Sequence, residues 1–424
     1  MKLDSVVKRI LDARVYDVAT RTPLDAAPVL SRRLNNHVWL KREDLQPVFS
    51  FKLRGAYNRM AHLTEAERAN GVVCASAGNH AQGVALSAQK LGVKATIVMP
   101  RTTPDIKVQN VRNLGAKVVL VGDAYDDASA HAQELVESTG ATYVHPYDDE
   151  QVIAGQGTIA REILEQAPSD LEAVFVPVGG GGLVAGVAAY IKYLRPNVKV
   201  IGVEPEDAPT LHDALAAQRR VTLKNVGLFA DGVAVKQIGK KTFDLAKQYV
   251  DEVVLVSVDQ ICAAIADVFD DTRSIAEPAG ALAVAGLKKY VQENGLEDKH
   301  LAAIESGANI NFHRLRHVSE RAELGEAREA LFAVEIPEKP GSFKRFCSLL
   351  GKRAITEFNY RYSHADKAQI FVGLALADSA EKAEVLNKLG DAGYAVVDMT
   401  DNEMAKLHVR YMVGGPAPQV ADTE

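Results

Sequence analysis

Between Ala173 and Ile191 the chain runs nineteen residues without a charge, and the middle of that run is Gly179-Gly180-Gly181-Gly182. A membrane-spanning helix needs about 20 apolar residues. Four successive glycines, with Pro177 before them and Gly186 after, make a poor lipid-exposed helix. The segment reads instead as a buried strand, a glycine loop and a helix. A strand apolar on both faces must be covered on both, so the fold is α/β with a parallel sheet.

The glycines exceed what a tight turn requires, and each one costs conformational entropy. They let the backbone approach an anion closely and turn its amides inward. The following helix adds about half a positive charge at the same point. The run therefore reads as a phosphate cradle. It lacks the Gly-Lys-Ser/Thr ending of a nucleotide P-loop and the G-x-G-x-x-G spacing of a dinucleotide site.

Short apolar runs at Val72–Ala75, Ala95–Met99, Lys117–Val121, Ala173–Val178, Val198–Val203, Glu252–Val256 and Leu301–Ile304 fit buried parallel strands. Segments with helical spacing lie between them, such as His80–Leu91, Tyr125–Ser138 and Val184–Tyr193. Three further segments place polar groups at strand or helix ends. Ser50-Phe51-Lys52-Leu53-Arg54-Gly55-Ala56 sets a lysine among apolar residues, where its charged form is disfavoured and its amine becomes nucleophilic. Taken alone, a solvated lysine is the commoner case. Ser76-Ala77-Gly78-Asn79-His80 joins a strand to a helix and could hold a carboxylate on its amides or simply cap the helix. Ser306-Gly307-Ala308-Asn309 follows the strand Leu301–Ile304, on the edge where α/β ligands bind. A phosphate cradle, a lysine, a carboxylate site and a neutral hydroxyl on one crevice together suggest pyridoxal 5'-phosphate acting on an amino acid.

The charge balance of −6, from 49 Lys plus Arg against 55 Asp plus Glu, argues against a nucleic-acid surface. Three scattered cysteines, Cys74, Cys262 and Cys347, form neither a disulfide framework nor a zinc motif, and a reducing cytoplasm is the simplest setting. Cys74 reads as a small buried residue. Met1-Lys2-Leu3-Asp4 has no apolar run behind it, so no signal peptide is expected, and no membrane insertion. His313 and His317 have a zinc-like spacing, but arginines lie between them, so a solvated helix is expected and no metal. Glu204-Pro205-Glu206-Asp207 is expected to be an exposed loop.

After about residue 312 the pattern changes. A charged connector helix is expected over Asn311–Arg328. Then Leu331–Ile336, a helix with Phe343, Phe346 and Leu350 on one face, Ala354–Tyr360, Gln369–Leu376, Ala380–Leu389 and Ala395–Met399 give βαββαβ, a ferredoxin-like module. The expected division is a catalytic domain over 1–320 with a small subdomain at about 45–150, a connector and module over 321–412, and a flexible tail over 413–424.

The chain resembles the fold-type-II pyridoxal-phosphate enzymes, the tryptophan synthase β-like group. Within them it is similar to the biosynthetic threonine dehydratases (threonine ammonia-lyases). The matching segments are Lys41-Arg42-Glu43-Asp44, Ser50 to Ala56, Ala75 to Ala85, Gly155-Gln156-Gly157-Thr158, Pro177 to Leu183, Ala276-Glu277-Pro278-Ala279-Gly280-Ala281 and Ser306 to Asn309. Pro340-Gly341-Ser342-Phe343 and Glu357-Phe358-Asn359-Tyr360-Arg361 narrow the likeness to the regulated branch. The likeness runs from about Arg14 to about Gly415.

The resemblance implies roles. Lys52 would hold the cofactor through its amine and remove the Cα proton. Gly179, Gly180, Gly181, Gly182 and Leu183 would bind its phosphate. Asn79 would meet the ring oxygen, Phe51 would lie beside the ring, and Ser306 would meet the ring nitrogen. Ser76, Ala77, Gly78, Asn79 and His80 would bind the substrate carboxylate, and Glu277 would lie near the ring. A hydroxyl at the ring nitrogen makes a weaker electron sink than a carboxylate would, which favours loss of a β-hydroxyl over reprotonation. The implied reaction takes L-threonine to 2-oxobutanoate and ammonia, the first step of isoleucine synthesis, with L-serine a second substrate.

The resemblance also implies an ACT-like C-terminal module with isoleucine as feedback effector and valine opposing it, in a homodimer or homotetramer. Longer relatives carry two such subdomains, and the second would begin near His408–Gly415. A one-module form and a shortened chain both remain open. Serine dehydratase, serine racemase and a β-replacing synthase are the rival enzyme readings. A non-catalytic amino-acid sensor is the rival from another class, and the presence of Lys52, Asn79, the glycine run and Ser306 together weighs against it.

Overall fold

The computed structural model describes residues 2–312, 314–326, 328–364, 366–377, 379–402 and 405. It divides into two units, Met1–Leu315 and Arg316–Glu424.

The first unit holds two sheets. In chain order its strands are β1 (Leu24–Ala26), β2 (His37–Arg42), β3 (Val72–Ala75), β4 (Ala95–Met99), β5 (Lys117–Leu120), β6 (Thr142–Tyr143), β7 (Leu171–Pro177), β8 (Lys199–Pro205), β9 (Glu252–Val256) and β10 (His300–Glu305). The larger sheet has the order β1-β2-β10-β7-β8-β9, and the smaller one β5-β4-β3-β6. All neighbours pair in parallel except β1 with β2, so an antiparallel edge is added to an otherwise parallel arrangement. The central strands β7, β8 and β10 are buried almost throughout, which is why they read as apolar runs.

The sequence reading did not include β1, β2 or β6. β1 and β6 are three and two residues long, too short for a periodic signal. β2 ends in Lys41 and Arg42, charges that mask a buried strand until their partners are known.

Three helices of this unit meet backbone to backbone. They are Lys52–Ala61, Glu150–Gln166 and Gly182–Leu194. A Cβ on Gly155 would lie 2.7 Å from the Arg54 carbonyl oxygen and 2.7 Å from Gly55 Cα. One on Gly186 would lie 2.4 Å from the Ile153 carbonyl oxygen. Real Cβ atoms do not approach backbone so closely, so these contacts exist only because no side chain is present.

A buried ionic cluster sits beside the same helices. Arg54, fully buried, pairs with Glu43 (2.8 Å) and Glu162 (2.6 Å), and Lys41 pairs with Glu162 (2.6 Å). Buried charges are tolerated only when paired in this way.

The helix Arg314–Gly325 runs across the division into the second unit and is shorter than the expected connector, because Asn311 and Phe312 are not helical. The second unit continues with β11 (Glu329–Pro337), β12 (Ile355–His364), β13 (Lys367–Ala375) and β14 (Ala395–Asp398), in the antiparallel order β12-β13-β11-β14. Helices Ser342–Leu350 and Ser379–Asp391 complete βαββαβ. Its core joins Phe332, Val334 and Ile336 to Phe346, Leu350, Val385 and Leu389.

Phe343 was expected on that core face and is not there. It is 44% exposed, and its ring meets Phe358 and Tyr360 of β12 edge-on at 5.4 and 6.0 Å. The first turn of the helix carries it past the core to the sheet edge. His313, of the expected histidine pair, and the segments 406–412 and 413–424 lie outside the described residues.

Candidate active site

Loops leaving the C-terminal ends of β3, β7 and β10 converge with the start of helix Lys52–Ala61. Ser50 forms an antiparallel bridge with Gly307, and the Phe51 amide donates to the Ser306 carbonyl at 3.2 Å. The helix start is thereby stitched to the end of β10. Phe51 is half-buried and packs against the main core.

Lys52 is half-buried as a whole residue, but its amine reaches inward and donates to the Gly232 carbonyl at 3.0 Å. Burial pushes its pKa down, against the opposing pull of Glu277 and Asp231. Loss of charge makes the amine a nucleophile and a base.

Asn79 opens the helix Asn79–Leu91 without capping it. Ser76 does the capping: its hydroxyl accepts from the Gly78 and Ala81 amides at 3.3 Å each. The Asn79 amide turns inward instead. Its Nδ2 donates to Glu277 Oε1 at 2.5 Å and its Oδ1 accepts from Asn309 Nδ2 at 2.8 Å. Burial, with Asp231 nearby, raises the Glu277 carboxyl to about 7, opposed by Lys52 and Asn79. Ser76, Ala77 and Gly78 stay half-exposed, and a Cβ on Gly78 would meet nothing within 4 Å. His80 is buried with Nε2 2.9 Å from the Val144 carbonyl, so that nitrogen carries the proton, and burial holds its pKa down to about 3. Its side chain faces away from the loop, and only its backbone amide belongs to it.

The glycine run has its carbonyls committed. Gly179 O accepts from Thr210 Oγ1 at 2.9 Å, and Gly180 O from Thr242 Oγ1 at 2.7 Å and the Gly239 amide at 3.2 Å. In a trans peptide the N–H points opposite its C=O, so the amides of Gly180 and Gly181 face the other side. Gly181 takes φ +89, and Gly182 opens the next helix with Leu183 buried behind it. A Cβ on Gly179 would lie 2.9 Å from Val233 Cα, and one on Gly180 2.2 Å from the Tyr147 ring. No side chain fits at either glycine, and the backbone they free directs two amides and a helix N-terminus together. The arrangement fits a phosphate.

Ser306 is buried, with Oγ donating to the Ala279 carbonyl at 3.1 Å and its amide to the Gly280 carbonyl at 3.3 Å. The Glu277 amide donates to the Gly307 carbonyl at 3.0 Å. The segments around Ser306 and Glu277 are thus cross-linked.

The structure therefore gathers Lys52, Asn79, Glu277 and Ser306 with the glycine run. Gly232, Val233 and Tyr147 also border this place and carried no sequence signal. Asp231, beside Gly232, pairs with Lys107 at 2.9 Å.

One sequence expectation is corrected. Glu204 is not in an exposed loop: it is fully buried at the end of β8. Its carboxyl accepts from the Leu211 and His212 amides at 2.8 and 2.9 Å and lies 2.9 Å from Thr210 Oγ1, whose one hydrogen it shares with the Gly179 carbonyl. Only Glu206 and Asp207 are exposed. Among the described residues no group of three or more His, Cys, Asp or Glu is arranged to hold a metal ion. No described helix is long and apolar enough to cross a membrane.

Comparison with known proteins agrees with this geometry. Residues 15–307 match the pyridoxal-phosphate dependent enzyme family, so the chain belongs to that class of enzyme. Residues 320–409 match the C-terminal regulatory domain of threonine dehydratase. The biosynthetic L-threonine dehydratase of Burkholderia multivorans is 58% identical over 98% of this chain and 83% of its own length. The chain is a member of the biosynthetic threonine dehydratase family. Among solved structures, the processed form of threonine deaminase isoform 2 from Solanum lycopersicum shares 51% identity at a TM-score of 0.75. The match covers 76% of this chain and 88% of that one. Serine racemase from Dictyostelium discoideum shares 30% at a TM-score of 0.67, covering 74% and 99%.

Proposed function

We propose that the chain dehydrates and deaminates L-threonine to 2-oxobutanoate and ammonia, with L-serine a second substrate. Lys52 carries the reading, because burial pushes its amine's pKa down and its amine sits at the Gly232 carbonyl with Glu277 near enough to act on it. Identity of 58% over 98% of the chain to a threonine dehydratase, against 30% over 74% of it to a serine racemase, supports threonine over the racemase reading.

In this reading Lys52 holds pyridoxal phosphate, and Gly179 to Leu183 bind its phosphate. Phe51 lies beside the ring. Asn79, whose orientation is fixed by Glu277 and Asn309, meets the ring oxygen with its second amide hydrogen. Ser306 meets the ring nitrogen, and since its hydroxyl has one hydrogen, donating there means releasing Ala279. Bound there, the cofactor supplies an electron sink for the carbanion at Cα. The Ser76–His80 amides take the substrate carboxylate. The Lys52 amine, whose charged form burial disfavours, accepts the Cα proton, and Glu277, raised to about 7, holds or releases a proton near physiological pH.

We assign catalysis to residues 1–320, with a small subdomain at about 45–150, and regulation to 321–412. Isoleucine is the proposed inhibitor at the second unit and valine its opponent, in a homodimer or homotetramer. The exposed Phe343, Phe358 and Tyr360 cluster supports an apolar effector there. A cytoplasmic setting agrees with the three free cysteines.

The test is keto-acid release from L-threonine by the purified holoprotein, with and without L-isoleucine, on the full chain and on one ending near Arg328. Release of 2-oxobutanoate, suppressed by isoleucine in the full chain alone, is expected. D-serine formation from L-serine without keto acid would replace this reading with a racemase. Equal suppression in both chains would place the effector outside the second unit.

A further inference from the structure

The segment Lys41-Arg42-Glu43-Asp44 matched the family without an assigned task. Its side chains alternate between two places. Lys41 and Glu43 enter the ionic cluster around Arg54, on the helix that begins at Lys52. Arg42 and Asp44 go elsewhere. Arg42 is the register partner of Glu305 in the parallel pair β2–β10, so it stands one residue before Ser306. Its Nε lies 2.9 Å from Glu305 Oε2 and 2.9 Å from Asp44 Oδ1. Its Nη2 donates to Asp44 Oδ2 at 2.7 Å and to Ser274 Oγ at 2.8 Å, and its Nη1 to Asp25 at 3.2 Å.

One guanidinium thus joins two segments. Glu305 leads directly into Ser306, and Ser274 begins the four-residue stretch Ser-Ile-Ala-Glu that delivers Glu277. Glu305 is wholly buried, and neither of its oxygens has a well-aligned hydrogen bond, because Nε is aimed at Asp44. Burial, with Asp44 beside it and Arg42 opposing, pushes the Glu305 carboxyl well above the ordinary range. The planar fork fixes Asp44 and Ser274 in angle as well as distance, which a lysine would not do, and holds Glu305 against it at 2.9 Å.

We propose that Arg42 is the positioning residue for Ser306 and Glu277, holding the ring-nitrogen partner and the buried carboxyl in register with each other. This rests on the reading that Ser306 and Glu277 face the cofactor. Arg42 itself acts through Glu305 and Ser274.

The experiment compares Arg42→Lys, Ser274→Ala, Ser306→Ala and the double variant Arg42→Lys/Ser306→Ala as holoproteins. It reads the absorbance and fluorescence of bound pyridoxal phosphate together with kcat and KM for L-threonine. A small misplacement of reacting groups costs up to about 10²-fold in rate. Arg42→Lys is expected to shift the cofactor spectrum and lower kcat by tens of fold, with KM moving less than about 3-fold. The double variant should fall short of the product of the two single effects, because Ser306 is one of the two groups that Arg42 positions. If Arg42→Lys does not fold, Ser274→Ala decides, since it removes one hydroxyl and should shift the spectrum the same way by less. Wild-type spectra and kcat in Arg42→Lys and Ser274→Ala, or effects of Arg42 and Ser306 that simply multiply, would overturn the proposal. A wild-type spectrum for Ser306→Ala would overturn the site reading itself, and the proposal with it.

Discussion

Asn79 Nδ2 donates to Glu277 Oε1 at 2.5 Å, joining residues 198 positions apart in the chain. The bond fixes which way the Asn79 amide points, because Asn309 supplies a hydrogen to its other end. It also lends a hydrogen to a carboxyl that burial would otherwise leave unsatisfied.

Replacing Asn79 by Ala removes both bonds at once. Each stranded buried polar group costs about 1–3 kcal/mol. Asn79→Ala should lower unfolding stability by that amount or more in the cofactor-free protein, measured by urea denaturation. A loss below about 0.5 kcal/mol would mean that Glu277 finds another donor.

The cradle makes a separate prediction. In Gly179→Ala the added Cβ meets Val233 Cα at 2.9 Å, and backbone cannot step aside as a side-chain tip can. The variant should bind pyridoxal phosphate at least about tenfold more weakly, each tenfold being about 1.4 kcal/mol. Equilibrium dialysis measures it. Unchanged affinity would place the phosphate elsewhere.

Arg54 neutralises Glu43 and Glu162 where all three are shut away from water. Breaking a buried pair by removing one partner costs about 3–5 kcal/mol. Arg54→Met should reach that range in denaturant melts, and a loss under about 1 kcal/mol would show that the carboxyls take up protons without penalty.

Glu204 sets a pH dependence. Burial raises its folded pKa to about 7, from an ordinary 4.5, against three hydrogen bonds. A carboxyl raised on folding stabilises most below its unfolded pKa, and that contribution is lost as pH rises through the folded one. The loss falls between about pH 4.5 and 7 and amounts to about 3 kcal/mol at most. Glu204→Gln cannot ionise, so its melting temperature should fall less than that of wild type between pH 5 and 8. Parallel pH profiles would exclude the role.

The parts of the site legible in the sequence are those where chemistry lies along one stretch of chain. Gly179 to Gly182 cannot be mistaken for an ordinary turn, Lys52 stands among apolar neighbours, and Asn79 and Ser306 follow readable apolar runs. The sequence was silent where burial is secured by distant partners. β2 looks half-charged until Lys41 meets Glu162, 121 residues on, and Arg42 meets Glu305. Glu204 looks exposed beside Glu206 and Asp207, because its donors come from the start of the next helix. Phe343 fits a core face by spacing alone, yet the helix begins there and its first turn faces the sheet edge.

The contact of Gly155 with Gly55 locks the helix bearing Lys52 to Glu150–Gln166, and that of Gly186 with Ile153 locks this helix in turn to Gly182–Leu194. Neither Gly155 nor Gly186 can gain a methyl group without parting two main chains. Drift among related sequences cannot retune the lysine by repacking around it. Divergence in what such enzymes accept must be written into the loops, over a scaffold frozen at atomic contact.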